Sequence, residues 1–121
     1  MNDQKRCLFI NRKSPYESAH AQEALDMAYA LSAFEHKVSL VFMDEGVLQI
    51  LRDQDSTEIG IKNFSPAFRA WQDYEIDQLY VDEESLKKRA IKTSDLIVEV
   101  ELINTDQLGK IINQQEFIFN D

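Results

Sequence analysis

Short apolar runs alternate along this chain with longer amphipathic stretches, and no other feature constrains its fold as tightly. Cys7-Leu8-Phe9-Ile10 is apolar throughout, the pattern of a strand buried on both faces. Ser14 with Glu17 has the form of a capping box, and Pro15 suits the first helical position. The helix expected from there places Ala21, Ala24, Leu25, Ala28, Leu31 and Phe34 on one broad face. His36-Lys37 is expected at its end, where positive charge complements the helix dipole. Val38 to Met43 is a second β-rich run, and Asp44-Glu45-Gly46 reads as a turn into a short helix holding Val47, Leu48, Ile50 and Leu51.

The polar segment Arg52 to Glu58 reads as a loop. Ile61, Phe64, Phe68 and Trp71 then recur at helical spacing, interrupted by Ser65-Pro66. A third strand is expected at Gln78–Val81, a charged helix at Glu83–Arg89, a fourth strand at Leu96–Val100 and a last one at Phe117–Phe119. Between the last two, Asn104-Thr105-Asp106 offers helix caps, and Leu108, Ile111 and Ile112 mark an apolar side. Strands alternating with helices imply right-handed crossovers. The expected fold is α/β: a single-domain three-layer sandwich, flavodoxin-like, with a mostly parallel sheet of about five strands. One domain is expected over the full 121 residues.

Function in such sheets gathers at the carboxyl ends of the strands. Those ends are Asn11–Ser14, Asp44–Gly46, Asp82–Ser85 and Glu101–Thr105. The first loop has no glycine, and neither GxGxxG nor GxxxxGK[ST] occurs, so a nucleotide cradle is not expected. Asp82 lies where a phosphoreceiver keeps its acceptor, but the basic Asn11-Arg12-Lys13 cannot supply the acidic pair that holds the required cation. Its plainer reading is a helix N-cap, with Ser85 a second candidate. His20 and His36 lie far apart, with no ligand cluster around them, so neither metal nor cofactor is expected.

Cys7, the only cysteine, excludes an intrachain disulfide and suits a reducing cytosol. It could carry sulfur, but its place in an apolar strand favours an inert packed thiol. The aromatic stripe Phe64, Phe68 and Trp71 reads as core, or as a protein interface where an edge is exposed. The acidic Asp82-Glu83-Glu84 reads as a solvated helix start, or as a dock for a basic partner. A formal net charge of −9 argues against direct binding to nucleic acid or to an anionic membrane, and points to protein partners. The start of the chain lacks the long apolar region of a signal peptide, and a cytoplasmic location is expected.

Several stretches resemble the DsrE/DsrF-like sulfur-relay family, closest to its TusC/DsrF branch. They are Ser14-Pro15, Glu23-Ala24-Leu25-Asp26, Val41 to Val47 with Leu48-Gln49-Ile50-Leu51 behind it, Tyr74 to Gln78, and Ser85-Leu86 with Arg89. The resemblance covers nearly the whole chain and implies a DsrEFH-like fold. It also implies a heterohexamer with TusB-like and TusD-like subunits that passes persulfide sulfur toward 2-thiouridine at the tRNA wobble position. In the Dsr relatives the implied setting is oxidation of stored sulfur. The relay cysteine of that family belongs to the D subunit, at the end of the third strand. The matching position here is Asp82, and a carboxylate cannot hold a persulfide. The resemblance therefore implies a non-catalytic structural subunit. The alternatives are a DsrF-like subunit in sulfur oxidation and a small stand-alone sulfurtransferase using Cys7.

Overall fold

A computed structural model describes residues 4–13, 20–51, 76–96 and 99–120. The expectations for Ser14, Pro15 and Glu17, for Arg52 to Glu58, and for Ile61, Phe64, Phe68 and Trp71 lie outside those residues, as do the side chains of Ala21, Ala24 and Leu25.

Five strands make one sheet: β1 (Arg6–Asn11), β2 (Lys37–Phe42), β3 (Ile76–Asp82), β4 (Glu101–Ile103) and β5 (Phe117–Asn120). Their order across it is β4-β3-β2-β1-β5. Every neighbouring pair is parallel, with Cys7 opposite Val38 and Phe117, and Val81 opposite Phe42 and Leu102. Among the described residues the helices are α1 (His20–Ala33), α2 (Glu83–Lys88) and α3 (Thr105–Asn113), and Asp44–Ile50 and Thr93–Asp95 form 3-10 helices.

Chain direction explains the layers. From β1 to β4 the strands step one way across the sheet, and right-handed crossovers put α1 and α2 on one face. The return from β4 to β5 puts its helix on the other. The two apolar clusters follow suit. Cys7, Phe9, Val38, Leu40 and Phe42 pack with Ala28 of α1 and Leu86 of α2. Leu8, Ile10, Val41 and Ile103 pack under Leu108, Ile111 and Ile112 of α3. The result is an α/β sandwich on a parallel five-stranded sheet, as the alternating runs predict. Phe9 and Phe42 are almost wholly buried, each side chain stabilising the fold by about 1.5–3 kcal/mol.

The caps read from sequence at α3 form a reciprocal pair. Asn104 Oδ1 accepts from the Gln107 N–H at 2.9 Å, and the Asn104 N–H donates to Gln107 Oε1 at 2.8 Å.

Three expectations are corrected. The fourth strand lies at Glu101–Ile103, while Glu99 and Val100 of the expected Leu96–Val100 are not in a strand and Ile97 and Val98 lie outside the described residues. Leu96 serves the core instead: it is 2% exposed and makes an isolated antiparallel bridge to Leu51. Only an edge strand could admit the exposed Glu101, and a β-rich composition records burial as readily as pairing. Phe34 is 77% exposed, not on the buried face. It caps the end of α1, where the chain turns away through Glu35 at φ 67°. Lys37 does not end that helix but opens β2, and His36 Nδ1 accepts the Lys5 backbone N–H at 3.1 Å.

Candidate functional site

The carboxyl ends of β1, β2 and β3 converge on one polar cluster. Asp82 ends β3 and caps α2, its Oδ2 accepting the Ser85 backbone N–H at 3.1 Å. The same oxygen accepts the Ser85 hydroxyl at 2.6 Å. Ser85 Oγ in turn accepts the Asp44 backbone N–H at 2.8 Å, tying the β3–α2 junction to the one after β2. Ser85 is 3% exposed, so its hydroxyl is a buried joint rather than a free nucleophile. The Arg89 guanidinium donates to the Ser85 carbonyl at 3.2 Å.

Asp44 sits at φ 51°, in the left-handed region a non-glycine residue seldom adopts. Two contacts hold it: the Ser85 hydroxyl at its N–H, and Arg12 Nε on its Oδ2 at 2.9 Å. Gly46 follows because space demands it. Any Cβ there would collide with the Asn11 carbonyl oxygen at the end of β1. That carbonyl also accepts the Met43 N–H at 3.0 Å, so the 3-10 helix lies directly across the end of β1. Buried Gln49 anchors it further, Nε2 donating to the Lys13 carbonyl at 2.9 Å, while its buried Oε1 finds no hydrogen-bond partner among the described residues.

Cys7 lies elsewhere. It is the second residue of β1, four positions before Asn11, hence about 13 Å along the strand from the carboxyl edge. It is 2% exposed. Burial raises its thiol pKa above the ordinary value, and the Glu116 carboxylate adds to the rise. Both effects disfavour the thiolate that sulfur chemistry requires.

Of the residues singled out from sequence, Asp82 stands at the end of the third strand and caps the next helix. Glu83 occupies the first turn of α2 and pairs with Lys87 at 3.3 Å. Phe64, Phe68 and Trp71 lie outside the described residues. The sequence places Arg12 and Asp44 in strand-end loops and Gln49 in a family-like stretch, without singling out any of the three as a site residue. Nothing in a turn signature reveals which neighbour it touches. Among the described residues no group of His, Cys, Asp or Glu side chains is placed to hold a metal ion.

A parallel five-stranded sandwich with polar loops at its carboxyl edge defines an α/β domain of flavodoxin-like build. The family profile described as DsrE/DsrF-like matches residues 5–120, and the chain belongs to that sulfur-relay family. It is 35% identical to the intracellular sulfur oxidation protein DsrF of Allochromatium vinosum, over 96% of each chain. It is 32% identical to a TusC homolog of Vibrio vulnificus, over 87% of this chain and 89% of that one. Among solved structures, the ychN protein of E. coli superposes with a TM-score of 0.82 at 19% identity, covering 98% of this chain and 100% of that one. A protein of unknown function from Methanobacterium thermoautotrophicum superposes at 0.67 with 13% identity and the same coverage. These two likenesses establish the fold.

Proposed function

We propose that this chain is a non-carrying subunit of a cytoplasmic sulfur-relay assembly, of the TusC/DsrF type, working beside TusB-like and TusD-like subunits. The observation that carries the reading is Asp82. At the end of the third strand, where the family's relay subunit keeps its cysteine, this chain has a carboxylate engaged by the Ser85 hydroxyl and N–H. Persulfide transfer needs a thiolate that attacks sulfur and is itself attacked there. An aspartate offers no such atom. The lone thiol, Cys7, is buried away from that edge and holds its proton tightly, which weighs against a stand-alone sulfurtransferase. The work left to the chain is to complete the assembly and shape a neighbour's site.

The setting proposed is tRNA wobble thiolation, the role of the Tus-type assembly. Sulfur oxidation is the second reading, favoured by the 35% identity to DsrF over nearly the whole chain. Co-expression with a TusB-like and a TusD-like chain tests the subunit role. A stable complex containing all three chains is expected. The reading falls if the relatives assemble without this chain, or if Cys7 becomes persulfidated during turnover. Deleting the gene separates the settings: loss of 2-thiouridine marks the first, loss of stored-sulfur oxidation the second.

A further inference from the structure

The two edges of the sheet are built differently. The β4 edge carries Glu101, exposed and charged, which discourages pairing with another strand. The β5 edge, Phe117-Ile118-Phe119-Asn120, has no charge, no proline and no recorded bulge. Phe117, Ile118 and Phe119 are 50%, 44% and 36% exposed. Register puts Phe117 and Phe119 on the face of Cys7 and Phe9, and the Phe9 and Phe119 rings stack at 4.6 Å. Ile118 lies on the opposite face, with Leu8. The one ion pair at the start of this edge, Lys5 with Glu116 at 3.6 Å, is internally neutral. Among the described residues no strand lies beyond β5.

We infer that β5 is a docking edge, and that its occupant is a strand of a different folded chain, less acidic than this one. The inference rests on the subunit role proposed above. Area decides between a peptide and a folded chain. Four residues span only about 13 Å of ladder, too little for the roughly 1,000 Å² of a specific interface. The occupant must continue over Phe117 and Phe119 on one face and Ile118 on the other. Charge decides between a second copy and a different chain. Each copy carries −9, so self-pairing through β5 sets two strongly acidic bodies side by side. A related subunit of smaller negative charge meets the same apolar edge without that repulsion.

The test uses the whole chain with its two co-expressed relatives. In the complex, the amides of Phe117–Asn120 are expected to exchange with solvent at least about tenfold more slowly than in the isolated chain. Replacing Phe117→Lys together with Ile118→Lys is expected to weaken association by at least about tenfold while the far-UV spectrum is kept. Phe34→Lys, at an exposed site on another element, is expected to leave association unchanged. Should the double variant unfold, the exchange measurement on the unaltered chain decides alone. Unchanged exchange at β5 in an intact complex, or full assembly of a folded double variant, overturns the docking edge and leaves the subunit role standing. Protection that grows with the concentration of this chain alone shows a second copy and also overturns it. If the unaltered chain does not associate with the relatives, both proposals fall.

Discussion

Asp82 shows how one side chain can hold two junctions of the fold together. Its carboxylate starts α2 and, through Ser85, fixes the N–H of Asp44 on a separate loop. Asp82→Ala removes the cap and leaves a buried hydroxyl short of its acceptor. The expected loss is about 2 kcal/mol, seen as a lower urea midpoint. Asp82→Asn keeps an acceptor oxygen and should lose less than half of that. If alanine were silent, the Ser85 joint would not be structural. Cys7 makes a prediction of opposite character. Burial, then Glu116, lifts its folded-state pKa above that of the unfolded thiol, so the folded chain holds the proton to higher pH. The resulting stabilisation is complete below the unfolded value of about 8.5 and disappears as pH climbs through the raised folded value. Urea melts of the natural chain and of Cys7→Ala, taken across that range, should show the stability gap between them change in favour of the variant as pH rises. A gap independent of pH would mean that Cys7 titrates alike in both states.

At the scale of elements, the helix ends carry the lesson. Both α1 and α2 close with a left-handed residue, Glu35 at φ 67° and Ala90 at φ 54°. In each, the next N–H reaches back into the last turn, His36 to the Leu31 carbonyl at 3.2 Å and Ile91 to the Leu86 carbonyl at 3.0 Å. Glycine is the residue suited to that conformation, and this chain has only three, none at these positions. Ala90→Gly is therefore expected to raise stability by about 0.5–1 kcal/mol, against the usual sign for Ala→Gly, and a thermal melt checks it. The same shortage explains what sequence could not disclose. Without a glycine stop after Ala33, the apolar period runs on to Phe34, which the turn at Glu35 sends into solvent. Strands β1, β2 and β3 were legible because their runs are apolar and interior to the sheet. The fourth was misplaced because Leu96 belongs to the core without belonging to a strand. At the site, the Asp82 cap follows from local spacing, three residues before Ser85. The contacts from Arg12 to Asp44 and from Ser85 to Asp44 cross 32 and 41 positions, and no local pattern encodes them.

The whole molecule is governed by its charge, which separates the two ways a protein can serve RNA chemistry. A chain that handles tRNA directly must displace counterions with clustered Lys and Arg, and its affinity then falls steeply with salt. This chain carries 13 such residues against 22 acidic ones. Several are already engaged: Lys5 with Glu116, Arg12 with Asp44, Lys87 with Glu83. A basic face for a polyphosphate backbone cannot be assembled from so few against so strong a background. The isolated protein is therefore expected to leave tRNA unretarded in a gel-shift assay up to about 100 μM protein at 0.15 M salt, weaker than ordinary non-specific binders. The three-chain complex is the informative comparison. If the complex retards tRNA and this chain alone does not, RNA contact belongs to the partners, in keeping with the proposed role through protein surfaces. Retardation by the isolated chain, weakening as salt rises, would place a cationic surface on a molecule whose charge balance forbids one, and would remove the physical ground for treating it as a purely protein-facing subunit.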